Sequence, residues 1–386
     1  MEFDFTAEQQ QLKDQVRRYL SDHSGRAAVR AVLDGPEAYD AKLWQGLGEL
    51  GYLGAAIPEA HGGLGVGYLE ACVVAEELGR ALSPVPYSSS IALAAECLMR
   101  VGSAAQQQRW LPLLASGKAV ATVAVAERSG RVTPEAIHCT AKVQDGATTL
   151  SGTKLAVADG DIADIAIVLA KGTGGGLPLY LVELAGAGVE RSPITTIDPT
   201  RSHAQLRFDN AAAERLGEIG MHGQGWAQLQ AVYDRAAVLM AFEQLGGADR
   251  ALQMACAYAQ ERFAFGRPIG SLQAIKHMLA DMYVSATLAR SNCYYAAWAL
   301  STDAAELPLA AATARVSATQ AYQHCARNNI QVHGGMGFTW EFDCHLYYRR
   351  ANLLAQALGP LSEWEDRLVG LLKDQHLAAK IQEATP

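Results

Sequence analysis

The chain has 386 residues with a formal net charge of −8, half of them hydrophobic and 19% charged, which suits about two or three domains around sizeable cores and excludes a disordered polymer. No basic stripe marks a nucleic-acid-binding surface, no run of about eighteen apolar residues would span a bilayer, and Met1 opens a polar helical start rather than a leader, so a cytoplasmic protein is expected. The seven cysteines (72, 97, 139, 256, 293, 325 and 344) form no CxxC pair and no HExxH occurs, which argues for free thiols rather than disulfides or zinc.

From Thr6 to about Gly117 the periodicity is helical. QQQLKDQVRRYL, AKLWQGLGELGYL, EACVVAEELGRAL and IALAAECLMRVG place apolar residues three and four apart, with Gly, Pro and Ser clusters between them. PEAHGGLGVG (58–67) has no preceding strand and no GxGxxG spacing, and so reads as a turn between helices rather than a phosphate loop. From about Ala119 to Asp209 the period shortens: AVATVAVAE, ATTLSG, ADIAIVLA, LPLYLVEL and AQLRFD are β-branched or alternating runs separated by DG, GTGGG and AGAG. After Gly225 the helical period returns through four or five long helices broken at GRPIGS, TDAAELP and HGGMGF. The expected fold is therefore α+β: a helical domain over 1–118, a β-barrel-like domain over 119–222, and a C-terminal four-helix bundle over 223–386 carrying the main subunit interface.

Two runs carry chemistry, YAQERFAFGRPIGSLQAIKHMLADM (258–282) and QVHGGMGFTWEFDCHLYYRR (331–350). In the first, Arg262 can pair a pyrophosphate with its planar fork, Phe265 can flank an adenine, and Gln273 follows at the next helix start. In the second, Gln331 precedes Gly334 and Gly335, which leave room for a ligand to approach the backbone. Taken singly, each run is an ordinary helix break beside a surface Arg or Gln; it is their order and spacing together that point to a dinucleotide.

On these two runs the chain resembles the acyl-CoA dehydrogenase flavoprotein family over nearly its whole length. The resemblance implies FAD as cofactor, with Arg262, Phe265, Gln273, Gln331, Gly334 and Gly335 serving an FAD bound mainly by the neighbouring subunit. It implies an acyl-CoA substrate, with Tyr233 and Asp234 at the family's aromatic–Asp pair on the coenzyme A arm, and an electron-transfer flavoprotein or similar acceptor.

Elsewhere the family's pattern is broken. Its T-E-P-x-x-G-S-D reads AERSGRVT (126–133) here and keeps only Glu127; L-S-G-T-K is present at 150–154, but the Trp and Thr expected on the isoalloxazine are Ala156 and Ala158. The Y-E-G-T that carries the glutamate base reads Ala357, Leu358, Gly359 and Pro360, and the alternative base position falls on Ala236, followed by Ala237. Asp234 and Glu243 are the candidates for a relocated base. Asp234 lies two residues from Ala236, about 200° around the helix, and Glu243 lies seven residues on, about 10 Å along the axis. Glu341 in GFTWE matches a common family position that is not the base, and the lone His333 and His345 read as structural. The resemblance therefore implies α,β-desaturation of an acyl-CoA in lipid or steroid catabolism, with this chain as the base-lacking, FAD-clamping subunit of an α2β2 assembly beside a related, complete chain. The alternatives are a self-sufficient homo-oligomeric dehydrogenase with a relocated base and a flavin-dependent monooxygenase on the same scaffold.

Overall fold

A computed structural model of the chain describes residues 6–217 and 225–384, with side chains through 377. The expected boundary at 222/223 lies outside the described residues. The helices before the sheet are α1 (Ala7–His23), α2 (Arg26–Asp34), α3 (Ala41–Glu49), α4 (Tyr68–Ala81), α5 (Glu96–Val101) and α6 (Ala104–Ala115). The strands are β1 (Ala121–Ala124), β2 (Thr140–Gln144), β3 (Ala147–Ala158), β4 (Ile165–Leu169), β5 (Leu179–Glu183), β6 (Val189–Pro193) and β7 (His203–Arg215). Then come α7 (Gly225–Glu261), a two-residue hairpin of β8 (Phe263–Ala264) and β9 (Arg267–Pro268), α8 (Gln273–Ser301), α9 (Leu307–His333), α10 (Cys344–Leu354) and α11 (Leu361–Ala384). This is the expected order of N-terminal helices, central sheet and C-terminal helices.

The described chain forms two compact units: Met1–Asp22 with Cys72–Ser83 and Ala237–Pro386, and His23–Ala71 with Pro84–Ala236. In the second unit the sheet runs β1-β4-β5-β7-β3-β2, with β6 on β7. Among the described residues, only the β1 and β4 strand pair runs parallel. The path curls back on itself, because Leu155 N–H in β3 donates to Ala126 O beyond β1 (2.8 Å) and Ala141 N–H in β2 donates to Lys171 O beyond β4 (2.8 Å). This return satisfies strand edges that would otherwise be open. The β2–β3 hairpin turns at Asp145 and Gly146, both with positive φ (51° and 80°), which is the two-residue turn that an Asp-Gly pair favours. One stretch departs from the helical expectation: Ser88–Ala95 is a wholly buried π-helix. Its serines make contacts across the unit, Ser89 Oγ donating to Asp159 and Ser90 Oγ accepting from Ala121 N–H (3.0 Å), so the wider turn accompanies contacts that a regular α-helical register would place differently.

In the first unit, α4 and α7 approach so closely that only glycine fits. A Cβ on Gly79 would lie 1.9 Å from Glu243 O, and one on Gly246 would lie 1.8 Å from Glu76 O. The same region carries the Lys13–Glu76 and Arg17–Glu77 ion pairs, both 2.7 Å. Along the bundle, Phe242 stacks on Tyr294 with centroids 5.9 Å apart, while alanines fill the buried faces of α8 and α9, allowing these helices to pack with little side-chain entropy lost.

Candidate functional site

The end of α7 and the start of α8 form one presentation surface. β8 and β9 pair around Phe265 and Gly266, whose φ values of 56° and 76° make a two-residue turn. Asn or Gly normally occupies the first of these positions; a phenylalanine there is disfavoured by roughly 1 kcal/mol or more. Phe265 is nonetheless 91% exposed and neighbouring Phe263 62%. A strained backbone that holds an aromatic ring in water gains nothing within its own chain. Arg262 is exposed, and among the described residues its guanidinium has no ion-pair partner; Gln273, the first residue of α8, is exposed as well.

At the end of α9, Gln331, Gly334 and Gly335 are exposed. Gly334 adopts φ 59°, ψ −136°, a conformation essentially restricted to glycine. Gly335 has no such constraint, and a Cβ on either would meet open space. Gly337 differs, since a Cβ there would lie 2.5 Å from Ile330 O, so it is required by the chain's own packing. A glycine at 335 thus has no intramolecular explanation and suits backbone contact with something outside the chain.

The two positions expected for a base are apolar and held in place. Ala236 is fully buried in α7. Leu358 sits at φ 59° in the loop after α10, followed by Gly359 at φ 95°. That loop is anchored by Arg315, which is almost fully buried and donates to Leu354 O, to Ala357 O (2.6 Å) and to Gln244 Oε1 (2.7 Å). Burial pulls the Arg315 guanidinium down to about 10, with Glu243 opposing the fall; it stays charged at neutral pH. From the other side Trp364 Nε1 donates to Leu358 O (3.1 Å). Glu243 is 3% exposed and faces Arg350 at 3.6 Å. Asp234 is 4% exposed and Tyr233 half-buried. Beside them, Arg235 donates to Glu96, lies 4.7 Å over the Tyr68 ring, and shares Glu96 with the Tyr68 hydroxyl (2.7 Å). Burial and the Glu96 charge push the Tyr68 phenol well above its ordinary value.

In the sheet unit, Glu127 accepts from Lys154 Nζ (2.7 Å), His138 N–H (2.6 Å) and Cys139 N–H (3.0 Å). Burial alone would raise this carboxyl; the Lys154 and amide hydrogen bonds outweigh it and hold Glu127 below its ordinary value. Lys154 is also lowered, which is the opposite of what a strengthened ion pair produces. Its side chain has 0% exposure against 9% for Glu127, so desolvation dominates at the lysine and the pair's favourable contribution is expressed at the carboxylate. Ala156, at φ 49°, and Ala158 offer only methyl groups.

Sequence reasoning singled out Arg262, Phe265 and the glycines, which are exposed in the structure, but did not single out Arg315 or the Tyr68–Glu96–Arg235 triad. Arg315 stands in an alanine-rich helix with no local motif, and the triad joins residues far apart in the chain. Among the described residues no helix is long and apolar enough to cross a membrane, and no cluster of His, Cys, Asp or Glu could hold a metal ion.

The descriptions "Acyl-CoA dehydrogenase, N-terminal domain" and "Acyl-CoA dehydrogenase, C-terminal domain" match residues 6–118 and 223–361. The chain is 36% identical over 354 residues to acyl-CoA dehydrogenase IpdE2 of Mycobacterium tuberculosis, covering 91% of this chain and 93% of the relative. Among solved structures, the Tcur3481-Tcur3483 steroid ACAD superposes with a TM-score of 0.86 at 31% identity, covering 96% of this chain and 99% of that one. A chain of the ChsE4-ChsE5 complex from Mycobacterium tuberculosis gives 0.87 at 30%, covering 97% and 99%.

Proposed function

The chain belongs to the acyl-CoA dehydrogenase family, and from that premise we propose that it is the clamping, base-lacking subunit of a heteromeric FAD enzyme that desaturates an acyl-CoA thioester. The observation that carries this reading is an asymmetry. Exposed groups suited to a neighbour's dinucleotide are retained, whereas Ala236 and Leu358 stand where a carboxylate is needed.

The residues present fit half of an FAD site. Arg262 offers an uncommitted fork for the pyrophosphate, Phe265 an exposed ring for the adenine, Gln273 and Gln331 amide groups, and Gly334–Gly335 an open backbone. The other half is stripped, with Ala156 and Ala158 in place of larger groups and Glu127 committed to Lys154. The chemistry the bound cofactor would supply is acceptance of a hydride from the acyl β-carbon. Removal of the α-proton needs a positioned carboxylate worth about 10²–10⁴-fold in rate. Glu243 is buried beside Arg350, and Asp234 is buried a half-turn from Ala236. The base therefore comes from a related chain in an α2β2 assembly, with Tyr233 and Asp234 reserved for the coenzyme A arm and electrons passing to an electron-transfer flavoprotein or similar acceptor. The steroid and ChsE4-ChsE5 relatives favour a bulky acyl group and a mixed assembly. Within this chain the division is 1–118, 119–222 and 223–386.

Flavin content tests the proposal. The chain expressed alone is expected to hold little FAD and to leave it oxidised when an acyl-CoA is added anaerobically. One FAD per chain in a homo-oligomer, bleached by acyl-CoA, would instead establish a self-sufficient enzyme; flavin turnover that needs oxygen would establish a monooxygenase.

A further inference from the structure

The two segments offered for the dinucleotide are far apart in sequence, and each ends a long helix. Three rings join them. Tyr258, in the last turn of α7, stacks on His333, the last residue of α9, with centroids 4.1 Å apart and planes 23° apart. Phe342 closes edge-on against both, 6.1 Å from Tyr258 and 5.7 Å from His333. Tyr258 and His333 are each tied directly to one of the two segments. Arg262 N–H donates to Tyr258 O (2.8 Å), and Ile269 N–H returns to Arg262 O (2.8 Å), so the hairpin carrying Phe265 hangs from the Tyr258 turn. His333 Nδ1 lies 2.8 Å from Asn329 O. A carbonyl only accepts, so Nδ1 carries the proton, and the imidazole caps the α9 terminus immediately before Gly334. Burial lowers the His333 pKa, against the hydrogen bond to the Asn329 backbone, which raises it.

Neither helix end requires this arrangement in order to form. The α9 terminus already closes through Gly334 N–H on Gln331 O, and Tyr258 is only half-buried, so the stack contributes less to a core than to the distance and tilt between two surface segments. Stacked rings have a preferred offset and separation, whereas an aliphatic pair of equal volume would allow the helix ends to slide.

We infer that Tyr258 and His333, backed by Phe342, are positioning residues that set the spacing between Arg262 and the Gly334–Gly335 backbone. The inference rests on the FAD-clamping reading above. It assigns no ligand contact to the rings themselves; they act through Arg262 and the glycines.

The test uses the assembly purified from its native host by a tag on this chain, stripped of flavin and titrated with FAD while flavin fluorescence is followed. Arg262→Ala is expected to weaken FAD at least about tenfold. Tyr258→Leu is expected to weaken it about tenfold, and Tyr258→Phe to stay within about twofold because the stack survives. On the Arg262→Ala background, Tyr258→Leu should add less than about twofold, since the group it positions is gone. Full additivity, or a lowered melting temperature with unchanged FAD affinity, overturns the positioning role. An Arg262→Ala assembly that binds FAD normally overturns the flavin reading itself. If Tyr258→Leu does not assemble, His333→Leu is read by the same criteria.

Discussion

Replacing Glu127 with Gln should open the segment after β1 without touching any group that binds a ligand. The carboxylate accepts three hydrogen bonds, from Lys154 Nζ and the amides of His138 and Cys139. Gln keeps the shape but has one accepting oxygen, so its NH2 faces a donor, and the Lys154 ammonium, with 0% exposure, loses its counter-ion. Removing one partner of a buried pair costs about 3–5 kcal/mol; with Glu127 itself 9% exposed, the lower end, about 3 kcal/mol, applies. Local opening free energy converts directly into amide protection, so exchange of the peptide covering 127–140 should accelerate about 100-fold. Lys154→Met should cost less, about 1–2 kcal/mol, because the carboxylate left behind keeps two amide donors and some water. Hydrogen exchange followed by mass spectrometry measures both. The sign with pH is fixed by the direction of the Glu127 shift. Its pKa is lower in the folded chain than unfolded, so the stabilisation is complete above the ordinary carboxylate value and is lost as pH falls through the folded one. Protection that is unchanged in Glu127→Gln, or that falls further in Lys154→Met, would refute this reasoning.

The remaining expectations concern the clamp, the assembly and the core. Arg262→Ala should lower the flavin content of the assembled enzyme more than Asp234→Ala, which should instead raise the KM for acyl-CoA; loss of kcat in Asp234→Ala with binding intact would make Asp234 the base. Denaturing the assembly and measuring flavin absorbance should give about one FAD per two chains, the stoichiometry that follows if only the partner hosts the cofactor. Gly79→Ala places a methyl 1.9 Å from Glu243 O and should cost about 3 kcal/mol, read as a lowered unfolding midpoint or loss of folded protein. Arg315→Met removes the donor to Ala357 O, while Leu354 O keeps Ala357 N–H and Gln244 Oε1 keeps the Thr319 hydroxyl; exchange in the peptide spanning 354–360 should rise about tenfold, while FAD affinity stays within about twofold.

Local chemistry was enough to read the order of helices, sheet and helices, because periodicity and turn residues act over a few positions. Asp145-Gly146 marked a break between strand runs, and the Arg262 and Gln331 runs announced the family, since residues grouped at two helix ends leave contiguous motifs. The absence of a carboxylate at 236 and 358 was likewise visible as bare letters. What the letters could not show is where the remaining charges are committed. Glu243 reads as a candidate carboxylate until the fold buries it against Arg350, and Glu127 reads as the one residue kept from a family pattern until Lys154, in β3, takes its oxygen. Arg315 is one polar letter in an alanine-rich helix until α9 brings it beneath the Leu358 loop. These are contacts between residues tens to hundreds of positions apart. Burial determines whether a charge must be paired, and burial belongs to the packed chain rather than to any stretch of its sequence.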